Sequence, residues 1–127
     1  SVHDSQTADN RLRINIPADA SFAEGSAVLS HNMYPILDRL AQTLQQNPYT
    51  DVSIIGHTDS TGSNAINNPL SLNRANAARN YLVSRGVSGS RIVTSGMGSA
   101  QPVTSNATEA GRAQNRRVEI YVAERPR

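Results

Sequence analysis

Two side chains of opposite charge, Asp59 and Arg74, are the residues of this sequence best suited to holding a ligand. Asp59 follows an apolar run that ends in the glycine-punctuated stretch 56–62, and Arg74 lies fifteen positions further on. If both face one pocket, they suit an ammonium and a carboxylate on one carbon, because charge-assisted hydrogen bonds are the strong kind. An arginine can also grip a carboxylate with two parallel bonds. The alternative is a simple salt bridge between the two side chains.

The same stretch contains His57, which raises the question of catalytic, metal and phosphate sites. A hydrolase of the α/β type would carry a Gly-x-Ser-x-Gly elbow, and the sequence has none. A metal held by His57 and Asp59 would need further ligands, but His3 and His31 stand at no recognisable metal-binding spacing. A phosphate-binding loop would end in Gly-Lys-Ser or Gly-Lys-Thr, and the chain contains no lysine. We therefore expect a binding protein and not an enzyme, with no cofactor and no metal.

The composition is that of one domain of 127 residues. Its arginines are scattered and its aromatic content is 4%, which argues against nucleic-acid binding. The chain has no cysteine, which excludes disulfides and thiolate metal sites. No apolar run is long enough to span a membrane, so we expect membrane attachment only through a segment absent from this chain. Because it begins with Ser1, the chain is expected to be a mature protein or an excised domain.

Hydrophobic periodicity predicts the elements that must position the two charged residues. Residues 12–16 alternate between apolar and polar as in a half-buried strand, and apolar residues within 33–44 recur at helical spacing. A second helix is predicted to begin at Asn67 or Asn68, with Pro69 in its first position. The predicted elements in order are strand 12–16, a helix from 30–32 to about 47, strand 51–56, a helix from 67–68 to about 85, strand 91–95 and strand 117–122.

This order predicts an α+β fold, a two-layer βαβαββ domain with a mixed sheet and two main helices packed on one face. Asp59 then stands at a strand end and Arg74 in the second turn of the following helix, two places that can be neighbours at one edge of the layer. The domain is predicted over residues 10–122, with a lead-in or linker over 1–9 and a basic tail over 123–127. Phe22, the only phenylalanine, is expected to fill the core.

Several short motifs stand in a fixed order along nearly the whole chain. They are the stretches 56–62, 70–75, 81–82, 86–87, 96–98 and 111–120, with Asn67, Arg91, Pro102 and Asn106 between them. This ordered series resembles the OmpA-like C-terminal domain, and the stretch 22–29 is similar to the first loop of that family. The resemblance implies non-covalent binding of peptidoglycan in the periplasm of Gram-negative bacteria, through a stem peptide that contains meso-diaminopimelate.

The resemblance also implies a role for individual residues. By position, Asp59 corresponds to the acidic residue that takes the diaminopimelate ammonium, and Arg74 to the basic residue that takes its carboxylate. Thr61, Asn67 and Arg116 match family positions that line or support the same pocket. Of the neighbouring pair Arg116 and Arg117, Arg117 is the weaker candidate for this pocket. In the first loop, Ala23 stands where the family often has Asp or Asn after the phenylalanine. This departure puts a side-chain contact from that loop in doubt, whereas its backbone groups could still serve.

The expected role is a tether between the cell wall and the outer membrane, or a protein attached to it, with a lipoprotein or a barrel protein as the parent. The alternative is a wall anchor for an inner-membrane machine such as a flagellar stator or a secretion system. A wall-processing hydrolase is a third hypothesis, which predicts the release of soluble muropeptides. The sequence leaves open whether the chain forms a homodimer.

Overall fold

A computed structural model describes residues 2–6 and 11–126, without the side chains of His3, Asp4 and Gln6. Within this part of the chain, one mixed sheet has the strand order β1, β2, β5, β3, β4. β3 and β4 are parallel, whereas the other neighbouring pairs are antiparallel. The strands are β1 (His3–Gln6), β2 (Leu12–Pro17), β3 (Thr50–His57), β4 (Ile92–Gly96) and β5 (Arg117–Glu124).

Two long helices cover the core-facing side of this sheet, α2 (Tyr34–Gln46) and α3 (Asn64–Ser84). Two short helices, α1 (Ala18–Ser21) and α4 (Glu109–Asn115), and the 3-10 turns His31–Met33 and Gly89–Arg91 complete the described elements. The apolar stripe of α2 is buried with small side chains of α3 and with alternate residues of the strands, as the periodicity predicts. The core includes Ile16, Phe22, Leu37, Leu44, Val52, Ile54, Ala75, Ala78, Leu82, Val118 and Ile120. The predicted α+β fold and the place of Phe22 are confirmed.

The antiparallel pairing of β3 with β5 sets the position of the candidate site. His57, the last residue of β3, is paired with Arg117, the first residue of β5. The loop that follows β3 and the residue that precedes β5 therefore lie at the same edge of the sheet. Gly56 allows α3 to cross close to β3, because a Cβ atom at this position would lie 2.0 Å from the carbonyl oxygen of Ser71.

The predicted start of the second helix is wrong by about one turn. α3 begins at Asn64, and Pro69 lies inside the helix instead of in its first position. The backbone N–H of Asn67 donates to the carbonyl of Ser63 at 2.9 Å, so a turn is already formed before the proline. The Asn67 side chain also donates to the carbonyl of Thr61 at 2.9 Å, and this tertiary contact overrides the local preference for a proline start.

Two predictions about the ends of the chain also need correction. Four residues of the predicted lead-in form β1, which pairs antiparallel with β2 through main-chain bonds that require no apolar alternation. Residues 1 and 7–9 of that lead-in lie outside the described part. At the other end, Ala123 and Glu124 of the predicted tail extend β5 and pair with β3. Among the described residues, no helix has both the length and the hydropathy needed to cross a membrane.

Candidate functional site

The loop after β3 holds Asp59 in a fixed conformation. The backbone N–H of Thr58 donates to the carbonyl of Gly98 at 2.8 Å, which attaches the start of the loop to the segment after β4. One oxygen of Asp59, Oδ1, then accepts the backbone N–H of Thr61 at 2.7 Å, the short-range bond by which an aspartate closes a turn. Asp59 is only 7% exposed, so its carboxylate is almost fully buried.

Arg116, which precedes β5, forms an ion pair with the other oxygen of Asp59. Its Nη1 lies 2.6 Å from Asp59 Oδ2. Its Nε and Nη2 donate to the two oxygens of Asp19 at 2.9 and 3.0 Å, and Nη2 also donates to Glu109 at 2.5 Å. The structure therefore brings the predicted residue Arg116 to Asp59 and adds two carboxylates, from α1 and α4, that the sequence reasoning missed. Asp19 is 97 residues from Arg116, so no sequence signal connects the two. Glu109 precedes Arg116 by only 7 residues, a helical spacing that was available as a signal.

Arg74 reaches the site from α3 and is almost fully buried, with 5% exposure. Its Nε donates to the carbonyl of Ser26 at 2.8 Å and its Nη2 to the carbonyl of Ala23 at 3.2 Å. The guanidinium carbon lies 5.0 Å from the centre of the Phe22 ring, a cation–π contact. Ala23 thus contributes to the site through its backbone.

Asp59 and Arg74 form no ion pair with each other among the described residues. The simple salt bridge between them is therefore excluded. Nη1 of Arg74 makes no hydrogen bond with any residue of the described part of the chain. A guanidinium with an unused edge can still take a carboxylate from outside the protein.

Thr61 and Asn67 stabilise the loop after β3 through internal hydrogen bonds. Thr61 contributes its backbone, since its N–H goes to Asp59 and its carbonyl accepts the Asn67 side chain. Asn67 is 6% exposed and ties the first turn of α3 to this loop. The structure thus places Thr61 in contact with Asp59, and Asn67 supports the loop through Thr61.

The charged groups of the site keep their charges at neutral pH. Burial alone would raise the pKa of the Asp59 carboxyl, but the Thr61 N–H and the Arg116 guanidinium hold that pKa below its usual value. Burial lowers the pKa of Arg74, and the carboxylate of Asp19 opposes this shift. Hydrogen bonds to Asp19 raise the pKa of Arg116 further above neutral.

A buried asparagine, Asn115 of α4, organises the loop that supports Asp59 from the outside. Its Oδ1 accepts the N–H groups of Val103 and Thr104 at 2.8 and 3.2 Å, and its Nδ2 donates to the carbonyl of Thr104 and to Asn106. Asn106 Oδ1 in turn accepts the backbone N–H of Ser60 at 3.3 Å. The sequence reasoning assigned no role to these asparagines, although both stand in the motif series.

Arg117 is directed to a different set of partners from those of Arg116. It donates to the carbonyls of Asn115 and Gln101 at 3.1 and 2.9 Å, and its Nε lies 3.7 Å from Glu119. It therefore braces the sheet and the loop before α4. Within the described ranges, no three His, Cys, Asp or Glu side chains are grouped so that they could hold a metal ion.

A family model and two relatives resemble this chain over most of its length. Residues 21–116 match the model of the OmpA family. The "peptidoglycan-binding protein ArfA" of Mycobacterium tuberculosis is 51% identical over 117 residues, which are 91% of this chain and 36% of that protein. The "probable lipoprotein YiaD" of Escherichia coli is 42% identical over 119 residues, 94% of this chain and 54% of that protein. The chain thus spans about a third to a half of the length of these relatives.

A solved structure agrees with the sequence matches. The cell wall anchor of the T6SS from Pseudomonas aeruginosa superimposes with a TM-score of 0.84 at 32% identity, covering 98% of this chain and 88% of that chain. The match to the family model extends over most of the sequence, and the fold agrees as well. The chain therefore belongs to the OmpA family.

Proposed function

We propose that this chain binds peptidoglycan non-covalently, by taking the meso-diaminopimelate residue of a stem peptide between Asp59 and Arg74. Family membership and the relatives' names support peptidoglycan as the ligand. The observation that carries the diaminopimelate assignment is that Arg116 and its partner Asp19 act electrostatically on Arg74, while Arg116 pairs with Asp59 and Arg74 does not. Asp59 and Arg74 are each left able to accept a group of opposite charge from a ligand.

The charges of the site fit a zwitterion better than a simple ion. Three carboxylates (Asp19, Asp59 and Glu109) and three guanidiniums (Arg74, Arg112 and Arg116) meet here, so the site as a whole is balanced in charge. At the Asp59 end, three carboxylates face the guanidiniums of Arg116 and Arg112, and this local negative charge suits an ammonium. The unused edge of Arg74 suits a carboxylate. The side-chain end of diaminopimelate carries both groups on one carbon. The ring of Phe22 supports the Arg74 guanidinium through a cation–π contact.

The expected affinity of one site is modest, and that suffices for a tether. A hydrogen bond to a charged group contributes about 1.5–3 kcal/mol, so a few of them give weak to moderate binding. Peptidoglycan repeats the ligand many times, and attachment of the protein at a second point would raise the effective concentration of wall near the site. A reversible contact of this kind is a binding function, and we propose that the chain has no enzymatic role.

In this proposal the chain works in the periplasm and tethers the outer membrane, or a protein attached to it, to the cell wall. The relative described as a probable lipoprotein supports that arrangement. The likeness to the cell wall anchor of a secretion system favours a second candidate, a wall anchor for an inner-membrane machine. A lipidated cysteine ahead of Ser1 in the full-length protein would support the first role, and a membrane-spanning helix there the second.

Sedimentation with purified diaminopimelate-type peptidoglycan tests the proposed function. We expect the wild type to sediment with the wall, and Asp59→Asn and Arg74→Gln to remain in solution while retaining a folded circular dichroism spectrum. Asp51→Asn and Arg79→Gln serve as matched controls, because they change the same residue types outside the site. If all variants sediment like the wild type, the wall is bound elsewhere; if the wild type stays in solution, the proposed function is wrong. Release of soluble muropeptides would instead reveal a hydrolase.

A further inference from the structure

Arg116 has more acidic partners than an ion pair with Asp59 requires. Asp19 holds its Nε and Nη2 in two parallel hydrogen bonds of 2.9 and 3.0 Å, and Glu109 holds Nη2 at 2.5 Å. The side chains of Asp19 and Glu109 are 55% and 67% exposed, whereas that of Asp59 is 10% exposed. Two solvent-facing carboxylates therefore cover the outer side of the guanidinium, and the inner side meets Asp59.

The two additional carboxylates change what Asp59 can do for a ligand. With Arg116 alone, Asp59 would form a neutral pair, and an approaching ammonium would meet a guanidinium that already neutralises the carboxylate. With Asp19 and Glu109 present, three carboxylates stand against two guanidiniums, Arg116 and the Glu109 partner Arg112, and the cluster around Asp59 keeps one net negative charge. The charged side chains act on an incoming ammonium over distances shorter than the screening length at physiological salt. The ammonium therefore approaches a negative environment.

We propose that Asp19 and Glu109 are specificity-determining residues, which neutralise Arg116 so that the surroundings of Asp59 stay negative and select a ligand with a positively charged amine. This inference rests on the proposed function and names the part of the site that reads the ammonium. The two residues are not expected to touch the ligand. They act through Arg116, whose bidentate contact with Asp19 also fixes the plane of the guanidinium.

A purely structural role gives a different expectation. The contacts of Arg116 join α1 and α4 to the start of β5, and they could serve only to hold these elements together. In that case, removing either carboxylate would affect every ligand alike, whatever the charge of the ligand. The distinction therefore requires two ligands that differ only in the amine.

The test uses two synthetic peptides, N-acetyl-L-Ala-γ-D-Glu-meso-diaminopimelate and the same peptide with its remaining amine acetylated. Affinities are measured by NMR titration, following the backbone amide of Thr61, for wild type, Asp19→Asn, Glu109→Gln and the control Asp51→Asn. Removal of one unit charge several ångströms from the ammonium is expected to weaken binding of the amine-bearing peptide about three- to tenfold at low salt. The acetylated peptide should bind Asp19→Asn and Glu109→Gln at least as well as it binds the wild type.

Salt gives a second readout that a structural role would not produce. The loss in Asp19→Asn and Glu109→Gln should shrink at about 1 M salt, where the screening length falls to about 3 Å. Equal weakening of both peptides, or no weakening of either, would overturn the assignment of Asp19 and Glu109 while leaving the proposed function intact. If the wild type binds neither peptide, the proposed function fails, and the assignment fails with it.

Discussion

Glu119 is predicted to stabilise the folded protein by an amount that depends on pH. It lies on β5, on the sheet face opposite the helices, and is 7% exposed. Its Oε1 is 2.6 Å from His57 Nε2, and its Oε2 accepts hydrogen bonds from Arg13 at 2.7 and 3.1 Å. The buried guanidinium of Arg117 lies 3.7 Å away. Glu119 therefore links the strands that precede Asp59 and follow Arg116.

The change Glu119→Gln removes the charge while keeping the side-chain shape. Burial alone would raise the pKa of Glu119, but hydrogen bonds from His57 and Arg13 and the charge of Arg117 lower it from 4.5 to about 2. One pKa unit corresponds to about 1.4 kcal/mol, so the carboxylate contributes on the order of 3 kcal/mol to folding. Since the folded pKa lies below the unfolded one, this contribution is fully present above pH 4.5 and is lost as the pH falls towards 2.

Urea unfolding at pH 7, 5, 3 and 2 measures this contribution. We expect Glu119→Gln to reduce the free energy of unfolding by about 3 kcal/mol at pH 7, and the difference from wild type to shrink towards zero at pH 2. Glu124→Gln is the matched control, since Glu124 ends the same strand and is exposed. An equal deficit at every pH would refute the reasoning, because it would show that the loss comes from packing and not from ionisation.

Three further substitutions test separate parts of the site. Arg74→Lys should weaken sedimentation with the wall at least about tenfold without unfolding the protein, because a lysine keeps the charge but not the fork that serves both the loop and a carboxylate. Gly56→Ala should lower the free energy of unfolding, measured in urea, by about 2 kcal/mol or more, since its Cβ would meet the Ser71 carbonyl at 2.0 Å. Asn115→Ala should cost about 2–4 kcal/mol, and amide hydrogen exchange should become faster at residues 103 and 104. Wild-type values in any of these measurements would contradict the corresponding contact.

The sequence was sufficient to predict those strands and helices whose hydrophobic periodicity defines a buried face. Alternation over residues 12–16 and the apolar stripe of α2 predicted the main layers, because period 2 and period 3.6 each define a buried face. The strand β1 was missed, because an edge strand bound through its backbone leaves no periodic signal. The start of α3 was misplaced because a contact between Asn67 and the Asp59 loop, which is not local in the helix, outweighs the proline signal.

The candidate site was predicted in its members but not in its pairing. Asp59, Arg74 and Arg116 were all named from the sequence, yet the partner of Asp59 is Arg116, and Arg74 is bound to the backbone of the first loop. Asp19 and Glu109 were not named, since only the folded chain brings them to the same guanidinium. Asp19 is 97 residues from Arg116 and has no spacing that a sequence could display, whereas the 7-residue spacing of Glu109 and Arg116 was a helical signal that the prediction did not use.

The central claim is that Arg74 binds the side-chain carboxylate of diaminopimelate. A thermodynamic cycle that combines two protein variants with two ligands tests it most directly. The affinities of wild type and Arg74→Gln are measured for N-acetylated tripeptides that end in meso-diaminopimelate or in L-lysine, which keeps the ammonium and lacks the side-chain carboxylate. If Arg74 binds that carboxylate, the exchange to lysine weakens wild-type binding about 10- to 100-fold and leaves the affinity of Arg74→Gln nearly unchanged. If the exchange weakens both proteins by the same factor, the carboxylate is bound elsewhere, and the proposed pairing of Asp59 and Arg74 with the two ends of a zwitterion is contradicted.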